Sequence, residues 1–114
     1  MSNAQLSERN TGEIDVSGCL GFTEVMVLLK KSQPFFNGQG DLTFDLSAVE
    51  KSNSSGLALL VEWVSMAKKN SQEISFQNVP KQILDIAKVG NLDKILPLVK
   101  SKSNNQKVGV EKDG

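Results

Sequence analysis

Between residues 41 and 64 the string DLTFDLSAVEKSNSSGLALLVEWV changes its apolar period, and that change limits the fold more than any other feature of the chain. Leu42, Phe44 and Leu46 alternate with Asp41, Thr43 and Asp45, the period of a half-buried strand over residues 41–46. From Leu57 onward the apolar residues come at helical spacing, so residues 47–56 must turn the chain. Ser54 and Ser55 then fall at or beside the N-cap of the following helix. Such a serine oxygen satisfies one of the N–H groups that the first turn leaves unpaired, for roughly 0.5–2 kcal/mol relative to alanine. The same N–H groups, with the positive end of the helix dipole behind them, also make a seat for a phosphoryl group or a partner's side chain. Local chemistry alone favours capping, because serine before a helix is commonplace.

The remaining elements alternate. Residues 6–9 and 13–16 flank Asn10-Thr11-Gly12, a turn signal, and predict a short first hairpin whose second strand is broken by Ser17-Gly18. Phe22, Val25, Met26 and Leu29 repeat at helical spacing over residues 22–31, and Pro34, Gly38 and Gly40 end that helix. A second helix is expected over 55–70, a fourth strand over 73–77, and a third helix over 80–89 with Pro80 at its first position and Gly90 at its end. A last short helix around 92–100 carries Pro97 and should end irregularly. Residues 1–5 read as a flexible start, 6–100 as one domain, and 101–114 as a disordered tail with too few apolar groups to offset ordering entropy. An initial hairpin followed by alternating helices and strands implies a single α/β domain, with a mixed, mostly parallel sheet of four to five strands and helices packed on it.

Composition removes several kinds of function. With 114 residues the chain supports one core, and its 13 basic and 13 acidic side chains leave no net field to steer it toward nucleic acid. It has no histidine, which excludes histidine-based triads, the usual base at neutral pH and the commonest zinc ligand. The lone Cys19 cannot form an internal disulfide and fits a reducing compartment. No apolar run approaches the roughly 20 residues of a membrane span, and MSNAQLSERN has no signal-peptide core. A cytoplasmic protein is expected, without direct membrane insertion, reaching any membrane machine by docking to another subunit.

Asp45, Leu46, Ser47 and Val49, then Asn53, Ser54, Ser55, Gly56, Leu57 and Leu60, resemble the signature of STAS domains, the family of anti-sigma-factor antagonists and anion-transporter regulatory tails. Gly56 to Leu60, Ala67-Lys68-Lys69, Phe76 to Val79, Leu84 to Ala87, Asn91-Leu92 and Ile95-Leu96-Pro97 extend the likeness over about residues 6–98, toward the small STAS subunits of Mla-type phospholipid-transport ABC complexes. The resemblance implies a non-enzymatic subunit that binds the ABC-transporter ATPase, with Ser54 in direct contact and the second helix and the start of the third supplying apolar area. It also implies an alternative. Ser54 matches the family's phosphoacceptor, so a partner serine kinase could switch an interface by adding about two negative charges. Asn53 stands where the family usually has aspartate, which alters the charge around that acceptor.

Within the second helix, Leu57, Leu60, Val61, Val64 and Ala67 form the expected core stripe, while Ala58, Glu62, Ser65 and Lys69 face solvent. Leu59, Trp63 and Met66 fall on a flank. A neighbouring helix covers that flank, Trp63 in particular, or else Leu59 and Met66 stay partly exposed beside the Ser54 turn as a partner-binding surface supported by Asn53, Ser55 and Gly56. Lesser features point to structure. Gly38-Gln39-Gly40 precedes a strand instead of following one, which rules out a phosphate loop and leaves a turn. Lys30-Lys31 and Lys68-Lys69 read as solvated helix ends. Asp41 and Asp45 lack a nucleophile or metal to work with and are expected to bond the turn backbone. Cys19, at a position often acidic in the family, reads as an inert thiol. No cofactor, metal site or catalytic residue is expected.

Overall fold

The computed structural model describes residues 4–99, and within them five strands and three helices alternate after an initial hairpin. Strands β1 (Ala4–Asn10) and β2 (Glu13–Leu20) are antiparallel; β3 (Leu42–Ser52), β4 (Ile74–Gln77) and β5 (Leu98–Val99) follow β2 in parallel, in spatial order β1-β2-β3-β4-β5. Helices α1 (Phe22–Ser32), α2 (Ser54–Lys69) and α3 (Lys81–Val89) form the crossovers, α2 lying against both α1 and α3. The expected single α/β domain with a mixed, mostly parallel sheet is the fold observed.

The sheet separates its two faces by strand period. Ile14, Phe44, Phe76 and Leu98 pair in one row across β2 to β5, and with Val16, Leu42 and Leu46 they face the core. The next row pairs Asp15, Asp45 and Gln77, and the one before it Glu13, Thr43 and Ser75. Parallel sheets are usually covered on both faces and uniformly apolar. Here the polar rows are held by their own contacts. Arg9 reaches Asp15 at 2.9 Å and Asp45 at 3.7 Å, separating two carboxylates that stand side by side in register, and the Thr43 and Ser75 hydroxyls are 3.2 Å apart.

The core centres on Trp63 of α2. Its ring lies 4.1 Å from Phe44, near parallel, and 6.4 Å from Phe76, and it is wholly buried. A buried indole N–H needs an acceptor. It donates to Ser32 Oγ at 2.8 Å, and that hydroxyl donates to the Leu29 carbonyl at 2.9 Å, so one polar chain joins α2 to the last turn of α1. A second buried polar residue, Gln72, holds the loop between α1 and β3: its Oε1 accepts from the Gly38 N–H and its Nε2 donates to the Phe35 and Gly40 carbonyls. That loop begins with a 3-10 turn at Gln33–Phe35.

Several boundaries differ from the sequence reading. Ala4 and Gln5 belong to β1 instead of a flexible start. Ser17-Gly18 does not end β2; the ladder to β3 absorbs the pair through register shifts and continues to Leu20. The third strand does not stop at Leu46 but runs to Ser52, because β2 supplies its ladder partners where the apolar alternation has ceased. The helix expected over 92–100 is absent from its described part, residues 92–99: a 3-10 turn at Leu92–Lys94 leads to β5, and the Pro97 carbonyl accepts from the Phe76 N–H at 2.9 Å. Pro97 lacks only a donor, which the edge of a sheet tolerates. Pro80 sits one residue ahead of α3 as its N-cap. The expected tail over 101–114 lies outside the described residues.

Ser32→Ala should cost about 1–3 kcal/mol by leaving the indole N–H unpaired, and Trp63→Ala about 3–5 kcal/mol, while Trp63→Phe falls between wild type and Trp63→Ala. Urea unfolding followed by circular dichroism measures the order; a Ser32→Ala protein as stable as wild type would show that the bond contributes nothing.

Candidate functional site

The turn from β3 into α2 is built to expose Ser54. Asn53 is the N-cap, in extended backbone, and its Oδ1 accepts from the Ser55 N–H at 2.8 Å. Capping therefore falls to Asn53 instead of the two serines, and Ser54 stands exposed as the first helical residue. Gly56 is buried one position beyond Ser55, where an added Cβ would overlap the Ser52 hydroxyl and press on Ile83. The helix thus starts flush against the strand end and α3 only because residue 56 has no side chain. Ser52 completes the frame, its N–H donating to Gln82 Oε1 of α3 at 2.9 Å and its hydroxyl to the Asn53 carbonyl at 3.0 Å.

The expected flank is corrected. Leu59 and Trp63 are both 0% exposed and belong to the core, and Met66 is half-buried. Both α1 and α3 pack on α2, so its buried arc is wide enough to take in Leu59 and Trp63, leaving Val61 and Val64 only half-buried. The apolar surface near Ser54 comes from α1 instead. Phe22 is 72% exposed and Met26 55%, because Val25 and Leu28 supply the core face of α1. Together with Ser55, Ala58 and Glu62 of α2 they border a groove of about 210 Å³ between the two helices. Exposed apolar residues were spaced correctly for a helix but could not be assigned a side from one helix alone.

A second depression, of about 310 Å³, lies among Cys19, Leu20, Glu24, Lys51, Asn53 and Gln82. Cys19 is half-buried on its wall. Among the described residues no group of three or more His, Cys, Asp or Glu is placed to hold a metal.

Asp45, seven residues before the end of β3, is tied to Asn78, just past the end of β4. Asp45 Oδ1 accepts from the Ser47 N–H at 2.9 Å and from Asn78 Nδ2 at 3.2 Å, and Asn78 holds a left-handed φ of 55°. Burial pushes the Asp45 carboxyl up, but the Ser47 N–H, the Asn78 amide, the Ser47 hydroxyl and the Arg9 charge together hold it below its ordinary value. The same pairing with Asp15 raises the Arg9 guanidinium. Asp41 accepts from the Glu73 N–H at 3.4 Å. Both aspartates therefore bond backbone, as expected, but at Ser47 within β3 and at Glu73 ahead of β4 instead of at the turn into α2.

A helix-sheet layer with an asparagine-capped turn that leaves a serine exposed invites comparison with known domains, and a family model described as the MlaB STAS domain matches residues 4–100. The chain belongs to the MlaB-type STAS-domain family. The intermembrane phospholipid transport system binding protein MlaB of Escherichia coli K12 is 35% identical over 54 residues, as is that of Shigella flexneri. The alignment takes in 47% of this chain and 56% of each relative, so the chain spans about half the length of the curated relatives it matches. The STAS fold is also that of an anti-sigma-factor antagonist from Mycobacterium paratuberculosis (TM-score 0.68, 22% identity, covering 86% of this chain and 85% of that one). It is shared again by the unphosphorylated anti-sigma-factor antagonist SpoIIAA (TM-score 0.64, 12% identity, covering 86% and 89%).

Asn53→Ala should cost about 1 kcal/mol of stability and Ser54→Ala much less, since only Asn53 caps α2; equal losses in urea melts would return the cap to Ser54. For Asp45 the sign follows from a lowered folded-state pKa. Its contribution is present above the ordinary value of 3.8 and is lost as pH falls through the lower folded value, so the stability gap between wild type and Asp45→Asn should narrow as the pH is taken down from neutral to below 3.8. A gap that stays constant over that range, measured by urea melts, would remove Asp45 from the acid response.

Proposed function

We propose that this chain is a non-enzymatic STAS subunit that docks on the ATPase of an ABC phospholipid-transport complex and regulates or stabilises it, with Ser54 at the centre of the contact. The observation that carries the reading is the pairing of an exposed, unburdened Ser54 with an apolar groove beside it. Asn53 takes the capping duty, and Phe22, Met26 and Ala58 provide exposed apolar area around a groove that Ser55, the residue after Ser54, also lines. Interface cores are made of such clusters, with a polar group fixing the register. The named relatives are binding proteins of a phospholipid transport system, which supports the choice of partner. None of the helices among the described residues is long and apolar enough to cross a membrane, so attachment at the inner membrane would run through the transporter.

A second reading keeps the same surface and makes Ser54 a phosphoacceptor. Its support is the exposed hydroxyl at the first helical position, where the α2 dipole favours a phosphoryl group while the free domain stays folded. The added charge would then oppose docking.

Ser54→Asp and Met26→Asp should both remain folded by circular dichroism and lose the coexpressed ATPase on affinity purification, because each buries an unpaired charge at the contact, at a cost of about 2–5 kcal/mol. Leu59→Asp should instead unfold the domain. Recovery of the ATPase at wild-type levels with both folded surface variants would reject the docking site. Mass spectrometry of the protein from its native cells separates the two readings, stoichiometric phosphate on Ser54 favouring the switch.

A further inference from the structure

Helix α1 carries three of the five exposed large apolar residues among the described residues: Phe22, Met26 and Val27, the last 44% exposed. Only Val25, Leu28 and Ser32 of its 11 residues are buried. Phe22 and Met26 are four residues apart, and a further four brings the same row to Lys30, which is exposed and has no ion pair among those of the described residues. The row therefore reads aromatic, methionine, cation at equal spacing over about 12 Å of helix. Turned end for end, it matches itself: a two-fold axis at Met26 sets Met26 on its counterpart and each Phe22 ring against the other copy's Lys30. Ammonium over an aromatic face is attractive, and the lysine stem covers apolar surface on the way. The chain's net charge of zero imposes no general repulsion between copies.

We propose that two copies of this chain pair through α1, antiparallel, about a two-fold axis at Met26. An isologous contact of this kind needs one self-complementary patch, and the Phe22-Met26-Lys30 row is one. A single short helix pair buries less than the roughly 1,200 Å² of a standard interface, so the dimer is weak and exchanges rapidly. It shares Phe22 and Met26 with the proposed ATPase contact, so pairing and docking exclude each other, and free subunits would shield the patch from other apolar surfaces.

Sedimentation velocity on the purified chain from about 10 µM to 1 mM reads the association directly. The expected result is a concentration-dependent monomer–dimer equilibrium, weakened at least tenfold by Met26→Asp and by Lys30→Glu. Adding Phe22→Lys to Lys30→Glu should restore pairing, because the lysine and glutamate then face each other across the axis. A monomer throughout the range, or a dimer that neither single substitution weakens, overturns the proposal. Retention of the ATPase by the Lys30→Glu protein leaves the docking reading intact whichever way the sedimentation falls, so the two can fail separately.

Discussion

The bond from the Trp63 indole to Ser32, made over a floor of Phe44 and Phe76, is the constraint on which the helical layer depends. An apolar side chain at residue 63 would give area but no orientation. The indole gives both, because its buried N–H must find an acceptor, and that acceptor lies on the last turn of the neighbouring helix. The spacing of α1 and α2 is thereby set at the level of one hydrogen bond. The groove between their outer faces inherits that spacing, and so does the distance from Met26 to the Ser54 turn.

At the other end of α2 the same economy recurs with smaller groups. Gly56 admits the helix against the strand end, Asn53 closes its first turn, and Gln82 of α3 takes the last strand N–H at Ser52. Each orphan group of the turn that these side chains can reach is satisfied without Ser54. A hydroxyl freed from structural duty at the first turn of a helix is chemically available, and this availability connects the fold to a docking or modification role. The open face of the sheet is quieter. Its carboxylates are compensated by Arg9 and by Asn78, which explains how a mostly parallel sheet leaves one side to solvent.

The difference between the expected and observed flank of α2 shows where a helical pattern stops being informative. Leu59 and Trp63 sit at angles that one neighbour would leave at an edge, and two neighbours bury them. Conversely Phe22 and Met26 have the spacing of a core stripe, yet α1 stands at the margin of the helical layer with only α2 beside it among the helices, and part of its apolar surface has nothing to cover it. Hydrophobic transfer rewards burial without specifying which side is buried, so the choice belongs to the packing.

The sequence by itself determined the alternation of strand and helix, a strand-to-helix turn within residues 47–56, the hairpin at the start and the resemblance to STAS domains, because these depend on local period, turn chemistry and a contiguous motif. It also placed Asp41 and Asp45 as backbone partners, while the Arg9 and Asn78 contacts of Asp45 came only with the sheet. Only the tertiary structure decided that β3 continues to Ser52, that Pro97 leads into a strand, that Asn53 and not a serine caps α2, and that the exposed apolar groups beside Ser54 belong to α1. For three of the four the reason is long range: a ladder partner, a sheet edge and a covering helix are supplied by residues far along the chain, and no window of sequence contains them. The cap is local, a bond from the Ser55 N–H to Asn53, but which of three adjacent capping residues takes it depends on where β3 ends and the backbone turns helical.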